Sequence, residues 1–231
     1  MVVIILSRGE ISLAHHGVLF LDELPEFNKN TLEVLRGPLE DKLVTISRLN
    51  ASITYPCNFM LIASMNPCPC GYYGSLEKDC CCRPEQIRRY RNKISGPLLD
   101  RIDLHIEVNG VNYSKLQSDN KIETSKTISS RVNRARSVQA SRYKKYHIYS
   151  NSELSPHLVN KFCNLDSPSK KLLELSFERL GLSARAYVRI LKVARTIADL
   201  DDSENIKQKH LAEAIQYRSL DRKYWDYDKK S

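Results

Sequence analysis

Glycine is scarce in this sequence, and where it occurs it is badly spaced to cradle a phosphate. The eight glycines stand at positions 9, 17, 37, 71, 74, 96, 110 and 181. No two are five apart and none precedes a lysine. The G-x-x-x-x-G-K-[ST] loop, whose backbone amides and Lys hold nucleotide phosphates, is therefore not among these residues. Long apolar runs are lacking as well, and nothing approaches the roughly 20 residues that a membrane-spanning helix needs. The opening "MVVIIL" is too short for a signal-peptide core. It has no basic flank before it and no small-residue cleavage site after it. These absences lead to the expectation of a soluble, cytoplasmic chain with no membrane partner. A secreted disulfide framework is excluded too, because the seven cysteines are odd in number and six crowd between Cys57 and Cys82.

What is present is a chain of 231 residues, 42% apolar, enough for one large or two small domains with a core. Its net charge of +9 is unevenly placed. Residues 1–110 carry 12 Lys and Arg against 13 Asp and Glu, whereas residues 111–231 carry 24 against 14. The basic excess belongs wholly to the second half. That asymmetry fits a polyanion-facing half, and it fits a solvated basic surface equally well.

The first half alternates short apolar runs with helical patterns, which predicts an α/β sheet. Val18–Leu21, Phe59–Ala63 and Leu104–Val108 read as strands, the first as one buried on both faces. A helix is expected over 29–39, with Leu32, Leu35 and Leu39 on one stripe. Leu43–Ser47 and Ser52–Tyr55 flank "RLNA" as a hairpin with Arg48 at or near its tip. The pair His15-His16 reads as packing or turning before the first strand, and Cys57 and Cys163 as core. The second half reads as helical over about 122–142, 155–162, 167–180, 183–199 and 207–217, by its apolar spacing. Ser183 is the expected N-cap of the fourth of these helices and Gly181 the stop of the third. Along the fourth helix the core stripe is expected at Ala186, Ile190, Val193, Ile197 and Leu200. Residues 112–121 read as a linker, and the tail from Lys223 as frayed.

Three stretches carry chemistry. "GVLFLDELPEF" runs four apolar residues into Asp22-Glu23. A strand ending in two carboxylates suits a nucleotide hydrolase, the Asp holding Mg²⁺ and the Glu orienting and deprotonating the attacking water. The bland alternative is a strand end that simply reaches solvent. In "LIASMNPCPCG", Asn66 lies just past the second strand, on the rim of Asp22 and Glu23 in a parallel sheet. It would position a water or phosphate oxygen, or serve merely as a turn residue before Pro67. In "SGPLLDRIDLHIEV", Arg101 sits between Asp100 and Asp103, where local pairing is the simpler reading. Its alternative is an arginine finger offered to a neighbour's γ-phosphate. Finally, Cys68 and Cys70 face Cys80, Cys81 and Cys82 across nine residues. Four thiolates suffice for tetrahedral Zn²⁺, while free thiols or a redox pair remain open.

Taken together, "GEISLAHHGVLFLDELPEF", "RGPLEDKLVTISR", "MNPCPCGYYG", "PEQIRRYRNKISGPLLDRIDLHIEV" and "LGLSARAYVRILKVARTIADL…QYRSLDR" resemble the ComM/YifB family of magnesium-chelatase-like AAA+ proteins. The resemblance spans about residues 8–222. It implies a fold: a partial α/β AAA+ core over 1–111, an all-α lid over 112–222, and a tail over 223–231. It also implies roles. Asp22 and Glu23 resemble the Walker B pair, Asn66 the sensor-1 residue, Arg101 the trans-acting arginine finger, and Arg185 in "SARA" the nucleotide-facing sensor-2 arginine. The hairpin at Arg48 resembles the pre-sensor-1 hairpin that projects into a central pore. The family pattern of C-P-C followed by C-x-C makes Cys68, Cys70, Cys80 and Cys82 the zinc candidates, with Cys81 spare. Members of the family resemble hexameric ATP- and Mg²⁺-dependent motors linked to DNA branch migration in natural transformation. On that footing Arg48, Arg131, Arg134, Arg136, Arg142, Lys144 and Lys145 become candidate DNA contacts.

The resemblance departs at the start. "MVVIILS" does not look like the family, whose phosphate loop lies upstream of the segment matching Gly9 onward. The expectation is an amino-terminally truncated motor, inactive alone and needing a partner chain that supplies the phosphate loop. In an AAA+ sheet that loop's strand is central, so its loss is expected to leave two strand edges unpaired. Rival readings are a non-enzymatic DNA-binding or assembly module, a decayed remnant, and a magnesium-chelatase motor subunit.

Overall fold

The computed structural model describes residues 9–48, 51–75, 78–108 and 123–218. The chain divides between Ile102 and Asp103 into two compact units. The linker at 112–121, the hairpin tip at 49–50 and the tail from Lys223 lie outside the described residues.

In the first unit, helix α1 (Glu10–Leu13) leads through a turn into strand β1 (Val18–Leu21). His15-His16 makes that turn as expected. His16 adopts a left-handed φ of 58°. Its amide reaches Asn58 O at 2.7 Å, and the Asn58 amide returns to His15 Nδ1 at 3.1 Å. After a 3₁₀ turn (Leu24–Glu26) come α2 (Lys29–Val34) and α3 (Arg36–Asp41), then the hairpin β2 (Leu43–Arg48) and β3 (Ala51–Pro56), then β4 (Met60–Ala63). Helices α4 (Pro84–Arg91) and α5 (Gly96–Leu99) close the unit.

The helix expected over 29–39 is two helices. Leu35 ends one and caps the next, its amide bonding Leu32 O at 3.2 Å rather than continuing the α pattern. Pro38 supplies the reason: it has no N–H to give Val34, and proline is at home in a first turn. Leu32 and Leu35 are buried as the stripe requires.

β1 and β4 pair in parallel from Val18↔Met60 to Leu21↔Ala63, as a two-stranded sheet. β2 and β3 form a separate antiparallel hairpin, in which Arg48↔Ala51 is the last pair before the tip. Two cross-strand hydroxyl contacts help fix its register, Thr45–Thr54 at 2.9 Å and Ser47–Ser52 at 3.1 Å.

Two strand expectations fail. β1 is not buried on both faces: Val18 is 55% and Phe20 58% exposed. With Met60 and Ile62, their register partners, they make one bare apolar face. A strand is covered on both sides only where other elements supply the cover. Leu104–Val108 forms no strand among the described residues. Its backbone is engaged elsewhere, the His105 amide donating to Tyr217 O at 2.9 Å while Asp103 pairs with Arg189.

The second unit is helical: α6 (Ser125–Tyr143), α7 (Pro156–Phe162), α8 (Ser167–Leu180), α9 (Ala184–Leu200) and α10 (Gln208–Gln216). Thr124, Ser155, Asp166 and Ser183 cap four of these helices by accepting from the amide three residues on. Gly181 ends α8 in the left-handed region at φ 59°. The buried stripe of α9 is Ala186, Ile190, Ala194 and Ala198 with Leu191. It is rotated from the expected one, and Val193 and Ile197 lie only partly buried at its border. These alanines share one core with Tyr143, Leu154, Val159, Leu173 and Leu211.

This core contains a charged centre. The Asp199 side chain is fully buried and accepts from Arg142 at 2.5 and 3.0 Å, from Arg195 Nε at 3.2 Å and from Asn151 at 2.9 Å. Tyr143 donates to Asn151 at 2.6 Å. Arg195 spends its other donors on Glu204 O and Ser203 O at 2.7 and 2.6 Å.

Candidate functional site

The carboxyl ends of β1 and β4 are stitched together. The Ser64 amide donates to Leu21 O at 3.0 Å and the Leu24 amide to Ser64 O at 2.8 Å. The turn this makes puts Glu23 at φ 50°, a left-handed conformation that costs a non-glycine residue about 1 kcal/mol or more. In return Asp22 is held. Its Oδ1 accepts from the Ser64 hydroxyl and from the Glu23 amide at 3.1 Å, and that amide also reaches Ser64 Oγ at 3.2 Å. Both carboxylates are exposed, so the rim faces solvent with one carboxylate oriented.

Asn66 follows two residues after Ser64 and is exposed. Its backbone bears on the Tyr90 phenol of α4, favouring the charged form. Burial raises the Tyr90 phenol above its ordinary pKa and keeps it neutral. The next carbonyl, Pro67 O, takes two donors from Arg91, Nε at 3.1 Å and Nη2 at 2.9 Å. Ser64, Tyr90 and Arg91 were not singled out from the sequence. The only available signal was the hydroxyl immediately after a strand in "LIASMNP".

The sulfurs of Cys68, Cys70, Cys80 and Cys82 all lie within 4.8 Å of one another, with Cys68–Cys70 at 3.4 Å and Cys68–Cys80 and Cys70–Cys80 at 3.6 Å. A tetrahedral ion at about 2.3 Å from each sulfur sets the sulfurs about 3.8 Å apart, so the donor set fits zinc in size and in softness. Cys81 is exposed and outside the group. A backbone hydrogen bond from Tyr72 lowers the Cys70 thiol to about 5. Desolvation and then the neighbouring thiols push Cys82 up to about 12. One site thus readily carries charge and another resists it, as expected of sulfurs crowded without a cation. Cys57 and Cys163 are buried as anticipated, and burial raises both thiols, Cys163 to about 11.

Arg101 is turned inward rather than paired with Asp100 or Asp103. Its side chain is 7% exposed, it pairs with Glu40, and it donates to Pro97 O at 2.7 Å. Arg185 stands exposed in the first turn of α9. Of the basic candidates, Arg131 pairs with Glu123 at 2.9 Å and Arg134 with Asp202 at 2.6 Å. Arg136, Lys144 and Lys145 are exposed. Arg142 belongs to the Asp199 centre and not to an open basic face.

The profile of the magnesium chelatase ChlI subunit matches residues 4–116, and that of the ChlI C-terminal region matches residues 122–218. The chain belongs to the magnesium-chelatase-like family of YifB and ComM. It is 47% identical over 216 residues to YifB of Escherichia coli K12, covering 93% of this chain and 41% of that protein. To the competence protein ComM of Haemophilus influenzae it is 47% identical over 213 residues, 92% of this chain and 41% of the relative. A Mycobacterium tuberculosis relative is 35% identical over 210 residues, again covering 41% of its length. The chain therefore spans about two-fifths of the curated relatives it matches. The mixed α/β unit followed by helices agrees with this family. Among the described residues no helix is long and apolar enough to cross a membrane.

Proposed function

We propose that this chain carries the Walker B, sensor-1, arginine-finger and lid segments of an ATP-driven DNA motor of the ComM/YifB kind. The observation that carries the reading is the oriented Asp22 carboxylate at the end of β1, with Glu23 beside it and Asn66 on the same rim. Asp22 and Glu23 fit the donor set for Mg²⁺, whose preference is one or two carboxylates plus phosphate oxygens. When bound, the ion neutralises charge on the transferring phosphoryl group. Within the chain, Ser64 keeps Asp22 in place, Glu23 orients and deprotonates a water, and Asn66 fixes that water or a phosphate oxygen. Arg185, in the first turn of α9, takes the sensor-2 role. Arg101 acts on a neighbouring subunit in a hexamer-type ring once it leaves Glu40. The phosphate loop must come from a polypeptide segment other than these residues. Without it the affinity and alignment on which phosphoryl transfer depends are missing. The four-cysteine cluster is proposed to hold one structural zinc.

The test is equilibrium binding of Mg-ATP to the chain, alone and mixed with a polypeptide carrying the family's phosphate loop. We expect no binding up to millimolar ATP alone, and binding on mixing that disappears in an Asp22→Ala, Glu23→Ala double variant. Tight binding to the chain alone would contradict the need for a separate phosphate loop. Binding on mixing that survives the double variant would contradict the roles given to the carboxylates.

The basic second half favours one further reading, a DNA-binding module that needs no ATP. Duplex DNA affinity that falls steeply with salt and is insensitive to nucleotide would support it over the motor.

A further inference from the structure

Asn66 leads directly into Pro67 and Cys68, and each of these two is tied to a different anchor. The Pro67 carbonyl is bonded to Arg91, and Cys68 enters the sulfur cluster fully buried. Tyr90 and Arg91 are neighbours at the end of α4. Arg91 is 1% exposed, and its guanidinium lies over the Tyr73 ring, 4.7 Å from the centroid. Tyr73 belongs to the loop that joins Cys68-Cys70 to Cys80-Cys82. Arg91 therefore grips both the backbone that presents Asn66 and the loop that closes the cluster. A planar fork giving two N–H groups to one carbonyl while stacking on a ring is something arginine does and lysine does not. In the sequence, Arg91 is one of several arginines in "RRYR" and nothing singles it out. The fold makes it the link.

We propose that Arg91 is a positioning residue that couples metal occupancy of the Cys68, Cys70, Cys80 and Cys82 cluster to the placement of Asn66. This rests on the reading of the cluster as a zinc site and of Asn66 as a group of the nucleotide site. A zinc ion pins four sulfurs to one centre and takes the slack out of the segment carrying Tyr73. Through Tyr73 and Arg91 the loop then holds Pro67 O, and with it the turn carrying Asn66. Without metal the loop relaxes and Arg91 loses the ring beneath it.

The experiment uses the chain stripped of metal and then given one equivalent of zinc. Zinc per chain is measured by elemental analysis, and exchange of the Asn66 amide by NMR. For the native chain we expect one zinc and about tenfold slower Asn66 exchange on loading, since protection reports local opening. Arg91→Lys should bind one zinc with less than twofold slowing, its fold checked by circular dichroism. Tyr73→Leu removes the ring and its hydroxyl at a half-buried position, and should likewise keep the zinc and lose the slowing. It carries the test if Arg91→Lys does not fold. Slowing in both variants equal to that of the native chain overturns the inference, as does zinc uptake without any effect on Asn66. Failure to take up zinc overturns the zinc reading and the inference with it. If the coupling is present but Asn66→Ala leaves Mg-ATP binding and hydrolysis by the mixed system untouched, the nucleotide role of Asn66 falls and the coupling stands.

Discussion

Asp199 is the buried acid at the centre of the helical unit's charge network. Its buried carboxylate answers two arginines, Arg142 and Arg195, that reach it from different helices. Removing one member of a buried ionic group leaves charge without a counterpart, at a cost of about 3–5 kcal/mol. We expect Asp199→Ala to lose about that much in urea unfolding, whereas removing the exposed Arg131–Glu123 pair costs under about 1 kcal/mol. Asp201 gives a pH signature. Hydrogen bonds from Lys209 and then His210 hold its carboxyl down to about 2. Because the folded value lies below the unfolded one of about 3.9, its contribution is present above pH 4 and is lost as pH falls toward 2. Asp201→Asn should flatten the stability profile of the second unit between those pH values. At the cysteine cluster the sign is set by Cys82, pushed up to about 12. Zinc binding must release protons, so affinity should weaken as pH falls. Cys68→Ser should abolish one-to-one uptake and Cys81→Ser should leave it intact, both read by elemental analysis.

Among the elements, the ends of α8 and α9 are the most legible part of the fold. Ser183 accepts from the Ala186 amide at 3.2 Å, and Gly181 takes φ 59° with open space where a Cβ would go. Ser183→Ala should cost about 1 kcal/mol through the lost cap, and Gly181→Ala a similar amount through strain alone. Both are measurable by thermal or urea unfolding. The α2/α3 break was legible only in part. Pro38 stood in plain view, yet the spacing of Leu32, Leu35 and Leu39 suits one helix as well as two. What settles it is the hydrogen bond that proline cannot make. The stripe of α9 was misplaced for a related reason: periodicity ranks large apolar residues first, while the core here closes on Ala194 and Ala198.

Across the whole chain, the two units have unequal resources. The second has one continuous core running from Tyr143 to Ala214 and its own buried charge centre. The first has a two-stranded parallel sheet with Val18, Phe20, Met60 and Ile62 bare on one face. A sheet that small is not stable by itself, and an uncovered apolar face invites association. We expect residues 103–231, made as a fragment, to unfold cooperatively. We expect the full chain to show concentration-dependent light scattering that Phe20→Lys with Ile62→Lys reduces. Scattering unchanged by those two lysines would place the sticky surface elsewhere.

The sequence by itself determined the family, the helices of the second unit with Ser183 and Gly181 at their ends, the hairpin with Arg48 in its last described pair, and the candidate rim of Asp22, Glu23 and Asn66. These follow from local rules, because periodicity, capping and strand-end chemistry are written within a few residues. It also named four cysteines whose sulfurs the fold brings within 4.8 Å. Only the tertiary structure decided which charges find each other. Arg101 meets Glu40 across 61 positions, Arg142 meets Asp199 across 57, and Ser64 meets Asp22 across 42. No local pattern encodes such a pairing, since each partner is chosen by packing that brings distant segments together. For the same reason Leu104–Val108, strand-like by composition, forms no strand among the described residues: a strand is defined by its neighbour, and the His105 amide bonds Tyr217 O instead.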